Sequence, residues 1–383
     1  MKRRLRPAHG LLPVLRHDER SRGEFVGALR AQLARSLTPG VRTVFERCVA
    51  PAFSAEHGRQ IADFREARRV MERNDYYQFW SALQRGSQEL TWSAVIEPTE
   101  RVHGDLTDAF RDAAGKATAP AANRGTLRLN PALIVPRYHT AADIHLQPGG
   151  YHTEFAPDDV AAGAVYDQAL GLYSNGSSGP LNEVFAERLM GFMDARVSGI
   201  APRRVLDMGC AIGNSTLPWA RRFPAAEVHG IDVAAPQLRY AHARAESLGV
   251  RAHFSQQNAE ATDFRDGSFD LIVSHIMLHE TSRSALPRIL AECRRLLAPD
   301  GLMLHLEVPR GRSTFEKFAY NWESWNNNET FAVFLTDLDL AALAVDCGFD
   351  PLRTQCVEFS VPRPPEQRLY AEESFWKVLV SRA

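Results

Sequence analysis

The stretch VLDMGCAIGNST, from Val205 to Thr216, decides the fold. An apolar lead-in, a carboxylate at Asp207 and small residues at Gly209, Ala211 and Gly213 describe a strand that ends, turns tightly and opens a helix. The turn needs small residues because a ligand can lie against bare main chain only where no side chain intervenes, and glycine takes up positive φ at little cost. Nineteen residues beyond Gly213, a second apolar run, VHGID, ends in Asp232. An acidic side chain about 20 residues past a glycine turn is where a doubly wound sheet places the acceptor for ribose hydroxyls. These residues point to a cofactor that contains a nucleoside.

The spacing narrows the choice. A dinucleotide fingerprint reads G-x-G-x-x-G, with a helix N-terminus aimed at pyrophosphate; here the pattern is D-x-G-x-A-x-G, with Asp207 inside the loop. A carboxylate repels a pyrophosphate and attracts an ammonium group. The segment resembles motif I of the class I (seven-strand) S-adenosylmethionine-dependent methyltransferases. The resemblance implies that the loop at Asp207, Gly209, Ala211 and Gly213 wraps the methionine part of S-adenosyl-L-methionine and that Asp232 holds its ribose.

Further matches follow in that family's order. FSQQNAEATDF, residues 254 to 264, resembles the third-strand segment, which implies that Asn258 and Ala259 meet the adenine. FDLIVSHIMLHE, residues 269 to 280, resembles the fourth strand, with His275 at its end, and LLAPDGLMLHLEV, from Leu296 to Val308, resembles a helix, a Pro-Asp-Gly turn and the fifth strand. LTDLDLAALAVDCGF, ending at Phe349, and the C-terminal FWKVLVSRA fit the last helix and a closing hairpin. The resemblance runs from about Leu181 onward. It implies an α/β fold, a doubly wound and mostly parallel seven-stranded sheet, behind a mainly helical N-terminal domain. The expected division is 1–150 for the helical domain with its joint, and 151–383 for the Rossmann-like cofactor domain.

Composition sets outer bounds. The chain has 383 residues, 45% apolar and 24% charged, the profile of an ordinary soluble globular protein. A net charge of -1 gives no electrostatic footprint for nucleic acid. The arginine-rich start, MKRRLRPAHGLLPVLRHDERSR, reads as a solvated terminus and lacks the apolar core of a secretory signal. No run approaches the roughly 18 apolar residues of a membrane span. Five scattered cysteines without C-x-x-C spacing read as reduced thiols, so a cytoplasmic location is expected.

From about Gly23 to Thr118 the pattern is helical, with Phe25, Leu29 and Leu33 on one expected face and Ile61, Phe64 and Val70 on another. The aromatics Tyr76, Tyr77, Phe79, Trp80 and Trp92 leave three readings open: a core, a homodimer seam through the N-terminal helices, or a substrate wall. Residues 119 to 152 lose the helical period and carry Pro and Gly punctuation, which marks a domain joint. Its histidines, His139, His145 and His152, stand six and seven apart, which matches no standard ligand spacing, so no metal is expected. Long irregular connections often act as lids, and this one is expected to fold over the cofactor cleft. Tyr166 and Tyr173, just ahead of the first core helix, occupy a place where related small-molecule methyltransferases present tyrosines to the sulfonium; packing is the alternative. LNEVFAERLMGFMDARVSG, residues 181 to 199, then reads as that first helix.

Methyl transfer from a sulfonium is an in-line displacement, in which positioning is worth ~7–11 kcal/mol and a base is needed only when the acceptor arrives protonated. His279, in HIMLHETS, is the candidate base, and its segment resembles the Leu-His-Asp-Trp motif of plant-type O-methyltransferases, with Glu280 in place of the Asp and Thr281 in place of the Trp. Glu280 either orients His279 or caps a helix amide. The aromatic run FEKFAYNWESWNNNETF, after the fifth strand, either covers the acceptor or plugs the core. The expected acceptor is a small organic molecule methylated at oxygen, carbon, sulfur or nitrogen. Two other classes stay open: an NAD(P)-dependent oxidoreductase and a non-catalytic S-adenosylmethionine-binding protein.

Overall fold

Val205, Leu206, Asp207 and Met208 are all buried, as a strand covered on both faces must be. A computed structural model of the chain describes residues 8–115, 124–174, 176–197, 199–308, 311–362 and 373–383, and residues 1–7 of the arginine-rich start and 119–123 of the joint lie outside them. Among the described residues the strands are β1 (Thr126–Arg128), β2 (Arg204–Met208), β3 (Glu227–Asp232), β4 (His253–Gln256), β5 (Phe269–His275), β6 (Leu297–Glu307), β7 (Thr354–Pro362) and β8 (Glu373–Arg382). They form one sheet in the order β1-β4-β3-β2-β5-β6-β8-β7. β1 to β6 pair in parallel, and β8 runs antiparallel between β6 and β7.

The sheet therefore has eight strands where seven were expected. The extra one, β1, comes from the stretch that reads as an irregular joint, and it adds to the edge by pairing Thr126–Arg128 with His253–Ser255. Three residues are too few for alternation to show in a sequence. The approach is close: a Cβ on Gly125 would lie 2.1 Å from the Ala252 carbonyl oxygen. A second difference lies in β6. Its Pro-Asp-Gly turn sits inside the strand, with Asp300 at φ 61° and a register shift between Phe269 and Leu271. The expected single last helix is two, Ala332–Asp337 and Leu340–Asp346, the second capped by the Asp339 side chain on the Ala342 amide.

Helices cover both faces of the sheet, as parallel strands require. On one face Leu286, Ile289, Leu290 and Cys293 of the helix Ala285–Leu296 pack with Leu340 and Ala344. On the other, Leu189, Phe192 and Met193 of the helix Val184–Arg196 pack with Trp219. The N-terminal helices build a further core with the stretch after β6. Trp80 lies 4.1 Å from Trp322, and Tyr77 5.6 Å from Phe318, between ring centroids. Both aromatic-rich stretches thus pack largely against each other, although Phe79 is 58% exposed. Of the expected stripe, Leu33 is buried and Leu29 half-buried, but Phe25 is 62% exposed and Val26 of the helix His17–Gln32 turns inward in its place.

A buried carboxylate ties the chain start to the sheet domain. Asp167, in the helix Ala161–Tyr173, accepts hydrogen bonds from His9 (2.9 Å), Tyr240 (2.9 Å) and Asn182 (2.7 Å), with the Arg244 guanidinium 3.5 Å away. Burial alone would raise its pKa, but the His9 bond and the Arg244 charge outweigh it and hold the carboxyl below its ordinary value. The same helix lies so close to the helix Ala235–Ser247 that a Cβ on Gly163 would stand 2.4 Å from the Tyr240 Cβ. Gly163→Ala should overpack this contact and destabilise the fold by about 1–3 kcal/mol. Thermal unfolding checks it; an unchanged midpoint would show that the two helices separate freely.

Candidate cofactor and acceptor site

Beyond β2 the chain turns through three positive φ angles, at Gly209 (69°), Ala211 (43°) and Gly213 (73°). Glycine is needed at the first because a Cβ there would sit 2.4 Å from the Met277 Cγ. The Gly209 and Cys210 amides both donate to the Ile231 carbonyl at 2.9 Å, which stitches the turn to β3. Asp207 lies beneath the turn, where it accepts the Thr216 hydroxyl at 2.7 Å and faces His275 Nδ1 at 3.3 Å. Trp219 Nε1 donates to His275 Nε2 at 3.4 Å, so the imidazole proton sits on Nδ1 and points to Asp207. Asp207 and His275 together form a buried strut under the loop.

Asp232, at the end of β3, accepts the Ala211 amide at 3.0 Å and the Ala234 amide at 2.9 Å. Burial pushes its carboxyl above the ordinary value, against the pull of His139 and of those two amides. A half-buried carboxylate of this kind has room for more donors, which the two hydroxyls of a ribose would supply. Past β4, the Asn258 side chain accepts the Glu260 amide at 3.0 Å and shapes the turn that carries Ala259. The sheet thus brings Asp207, Asp232, Asn258 and His275 to one edge, although they are scattered in sequence.

The segment from Tyr138 to His152 lies over this edge. Tyr138 donates to Glu260 at 2.8 Å, and Ile144 and Tyr151 pack on Ala234 and Tyr166. His145 and Leu146 are both left-handed, at φ 56° and 63°, a conformation that costs non-glycine residues on the order of 1–3 kcal/mol each. Main-chain bonds hold them there. The His145 amide donates to the Asn327 carbonyl at 2.6 Å, and its carbonyl accepts from Gln88 (2.8 Å) and Trp92 (2.7 Å) of the helix Asp75–Arg101. Tyr173 donates to Asn327 Oδ1 at 2.9 Å, and burial pushes its hydroxyl up to about 12. Tyr166 stands edge-on to Tyr151, with 5.3 Å between centroids.

Two residues of this region, Glu307 and Glu329, were not singled out from the sequence. Glu307, the last residue of β6, is fully buried and accepts the Leu278 amide at 2.7 Å, while its other oxygen lies 2.9 Å from His279 Nδ1. The carboxylate that orients His279 is therefore Glu307, not Glu280. Glu280 faces His145 instead, at 3.4 Å, and Glu329 approaches the other ring nitrogen of His145 at 3.2 Å. Burial alone would lower the His279 pKa, but the Glu307 charge and hydrogen bond raise it to about 9. The one sequence signal available was an acid closing the run LHLE, placed at its strand end as Asp232 is on β3. His139 and His152 lie 5.7 Å apart between ring centroids, and among the described residues no group of three or more His, Cys, Asp or Glu is placed to hold a metal ion.

Comparisons with known proteins bear on this geometry. Residues 205–301 match the family model described as a methyltransferase domain. A demethylmenaquinone methyltransferase of Thermus thermophilus is 37% identical over 109 residues, 28% of this chain and 49% of that protein. A malonyl-[acyl-carrier protein] O-methyltransferase of Geobacter sulfurreducens is 36% identical over 167 residues, 41% of this chain and 59% of that protein. The chain spans about half the length of the curated relatives it matches. Among solved structures, a SAM-dependent methyltransferase of Methanosarcina mazei superposes with a TM-score of 0.38 at 22% identity, over 47% of this chain and 91% of that one. No helix among the described residues is long and apolar enough to cross a membrane.

The His279–Glu307 pair also makes a stability prediction. A histidine whose folded pKa of about 9 exceeds its unfolded value of about 6.5 contributes stability that is complete below the unfolded value and is lost as pH rises through about 9. The unfolding midpoint should therefore fall more steeply between neutrality and pH ~9 in the native protein than in Glu307→Gln. Parallel midpoint-against-pH curves for the two would remove the pair as a source of stability.

Proposed function

We propose that this chain, whose second half is a class I S-adenosylmethionine-dependent methyltransferase domain, transfers a methyl group from S-adenosylmethionine to a small organic acceptor. The observation that carries the proposal is Asp232: a half-buried carboxylate at the end of β3 that accepts two main-chain amides and lies directly beside the Gly209–Gly213 turn. In this reading Asp232 accepts the ribose hydroxyls, Asn258 and Ala259 border the adenine, and the turn from Gly209 through Ala211 to Gly213 lies along the methionine end. Asp207 and His275 position that turn from below. Tyr166 and Tyr173 border the sulfonium end. When bound, the cofactor supplies a methyl group already activated for displacement.

The chain's own share of the work is positioning and exclusion of water. The Tyr138–His152 segment closes the top of the site, held to the helix Asp75–Arg101 through Gln88 and Trp92. His279 uses Nδ1 on Glu307, which leaves Nε2 to hold or take a proton from the acceptor. Because its pKa lies at about 9, the neutral form is scarce at pH 7, and a reaction that needs it speeds up as pH rises. The curated relatives named for a demethylated quinone and for malonyl-[acyl-carrier protein] support an acceptor other than nucleic acid.

Two measurements test this reading. Asp232→Ala should weaken S-adenosylhomocysteine binding by about fivefold or more, roughly 1 kcal/mol; titration calorimetry showing unchanged affinity would remove Asp232 from the cofactor site. If His279 is the base, kcat/KM of the native enzyme should climb with pH toward about 9, and His279→Gln should lose both rate and slope. Matching profiles would restrict His279 to a structural part.

A further inference from the structure

The segment Tyr138–His152 crosses the strand ends and is tied down on both sides of the crossing. Tyr138 donates to Glu260 at 2.8 Å, in the turn that Asn258 shapes after β4. Tyr151 packs with Ile144 on Ala234, two residues past Asp232. His139 directly follows the first anchor and reaches the second, its ring 5.8 Å from that of Tyr151 between centroids. Of all side chains, it exerts the strongest pull on the Asp232 carboxyl. His139 and Tyr151 thus form a roof over the strand ends, and the floor beneath is Asp232, Ala234 and the turn around Asn258.

This roof is incompletely bonded. Tyr151 is 8% exposed and its hydroxyl has no hydrogen-bond partner, while His139 Nε2 is closed off from solvent and likewise has none. The two atoms come from residues twelve apart in sequence, so each was orphaned separately. A fold closes such groups into itself only with partners, because an unpaired buried donor or acceptor gives up water and gains nothing in return. Other unpaired atoms of the segment have an account of their own: His145 Nδ1 has the Glu329 carboxylate 3.2 Å away, and Gln147 bonds through its amide nitrogen to the Gly150 and Ala162 carbonyls. His152 Nδ1 is the remaining one, on a ring 5.7 Å from His139.

Burial, joined by the charge of Glu280, pushes the Tyr151 hydroxyl well above its ordinary pKa, so it stays neutral and able to donate as well as accept. A ligand lying between this roof and the Asp232 carboxylate needs polar atoms on both of its faces. A nucleoside has them, since its ribose hydroxyls and ring nitrogens donate and accept in several directions. An aliphatic or plain aromatic group in the same place would leave both orphans unmatched.

We propose that His139 and Tyr151 bind the nucleoside of the cofactor from above, through hydrogen bonds from His139 Nε2 and the Tyr151 hydroxyl, opposite Asp232. This rests on the methyltransferase reading above. It makes the joint between the helical part and the sheet a working wall of the cofactor site, and the bound nucleoside ties that joint to the strand ends.

The test uses the full chain at neutral pH, with S-adenosylhomocysteine and adenosine each titrated by calorimetry and the thermal midpoint of the free protein read alongside. Tyr151→Phe removes only the oxygen, and His139→Ala removes the imidazole. Each should weaken both ligands about fivefold or more. The midpoint of free Tyr151→Phe should be unchanged or higher, because the hydroxyl has no partner to lose. Native affinity for S-adenosylhomocysteine in either variant, the result if a water fills the gap, overturns the proposal. So does a lowered midpoint in free Tyr151→Phe, since the hydroxyl would then be bonded within the fold. Weaker S-adenosylhomocysteine binding with native adenosine affinity puts the contact outside the nucleoside and overturns it as well. Failure of the native protein to bind S-adenosylhomocysteine would instead remove the methyltransferase reading on which the proposal stands.

Discussion

A parallel strand buried on both faces can carry a polar side chain cheaply only near its end, where the next turn offers partners. Four strands of this sheet obey that constraint in one direction. Asp207 lies one residue from the end of β2, and Asp232, His275 and Glu307 close β3, β5 and β6. Each is matched locally: Asp207 by Thr216, Asp232 by the Ala211 and Ala234 amides, Glu307 by the Leu278 amide and His279. Because the strands are parallel and adjacent, their ends collect the chemistry of the whole chain along one edge, where doubly wound sheets place their ligands.

The N-terminal helices matter to that edge through two connections. Trp80 and Tyr77 interlock with Trp322 and Phe318, which fixes the helix Thr314–Asn326 and so sets where Asn327 and Glu329 begin. Gln88 and Trp92 seize the His145 carbonyl and hold two residues in a strained backbone conformation. The result is an imidazole pinned between two carboxylates that arrive from different parts of the sheet domain. Strain that would otherwise relax is over-determined by its surroundings, a pattern that clusters at functional sites.

The glycine turn and its distant acid were legible because they obey local rules: positive φ demands glycine, and a strand end followed by a helix has a recognisable length. Gly209, Gly213 and Asp232 are therefore marked out by local pattern alone. The partners of His279 and His145 were not legible. Glu307 and Glu329 lie 28 and 184 residues away along the chain, and only β5 beside β6, and the turn after Asn326, bring them close. The edge strand β1 was hidden for another reason. Three residues carry too little pattern, and their pairing depends on Gly125 meeting Ala252, a contact between distant parts of the chain. Val26 rather than Phe25 turned inward because the helix packs on its neighbours and not on an isolated apolar stripe.

The central claim is that the edge where these strands end seats a sulfonium nucleoside. A crystal structure of the chain grown with S-adenosylhomocysteine tests it most directly. The account predicts ribose hydroxyls on the Asp232 carboxylate, adenine against Asn258 and Ala259, and sulfur near Tyr166. Density for the ligand elsewhere on the molecule, or hydroxyls turned away from Asp232, would contradict it.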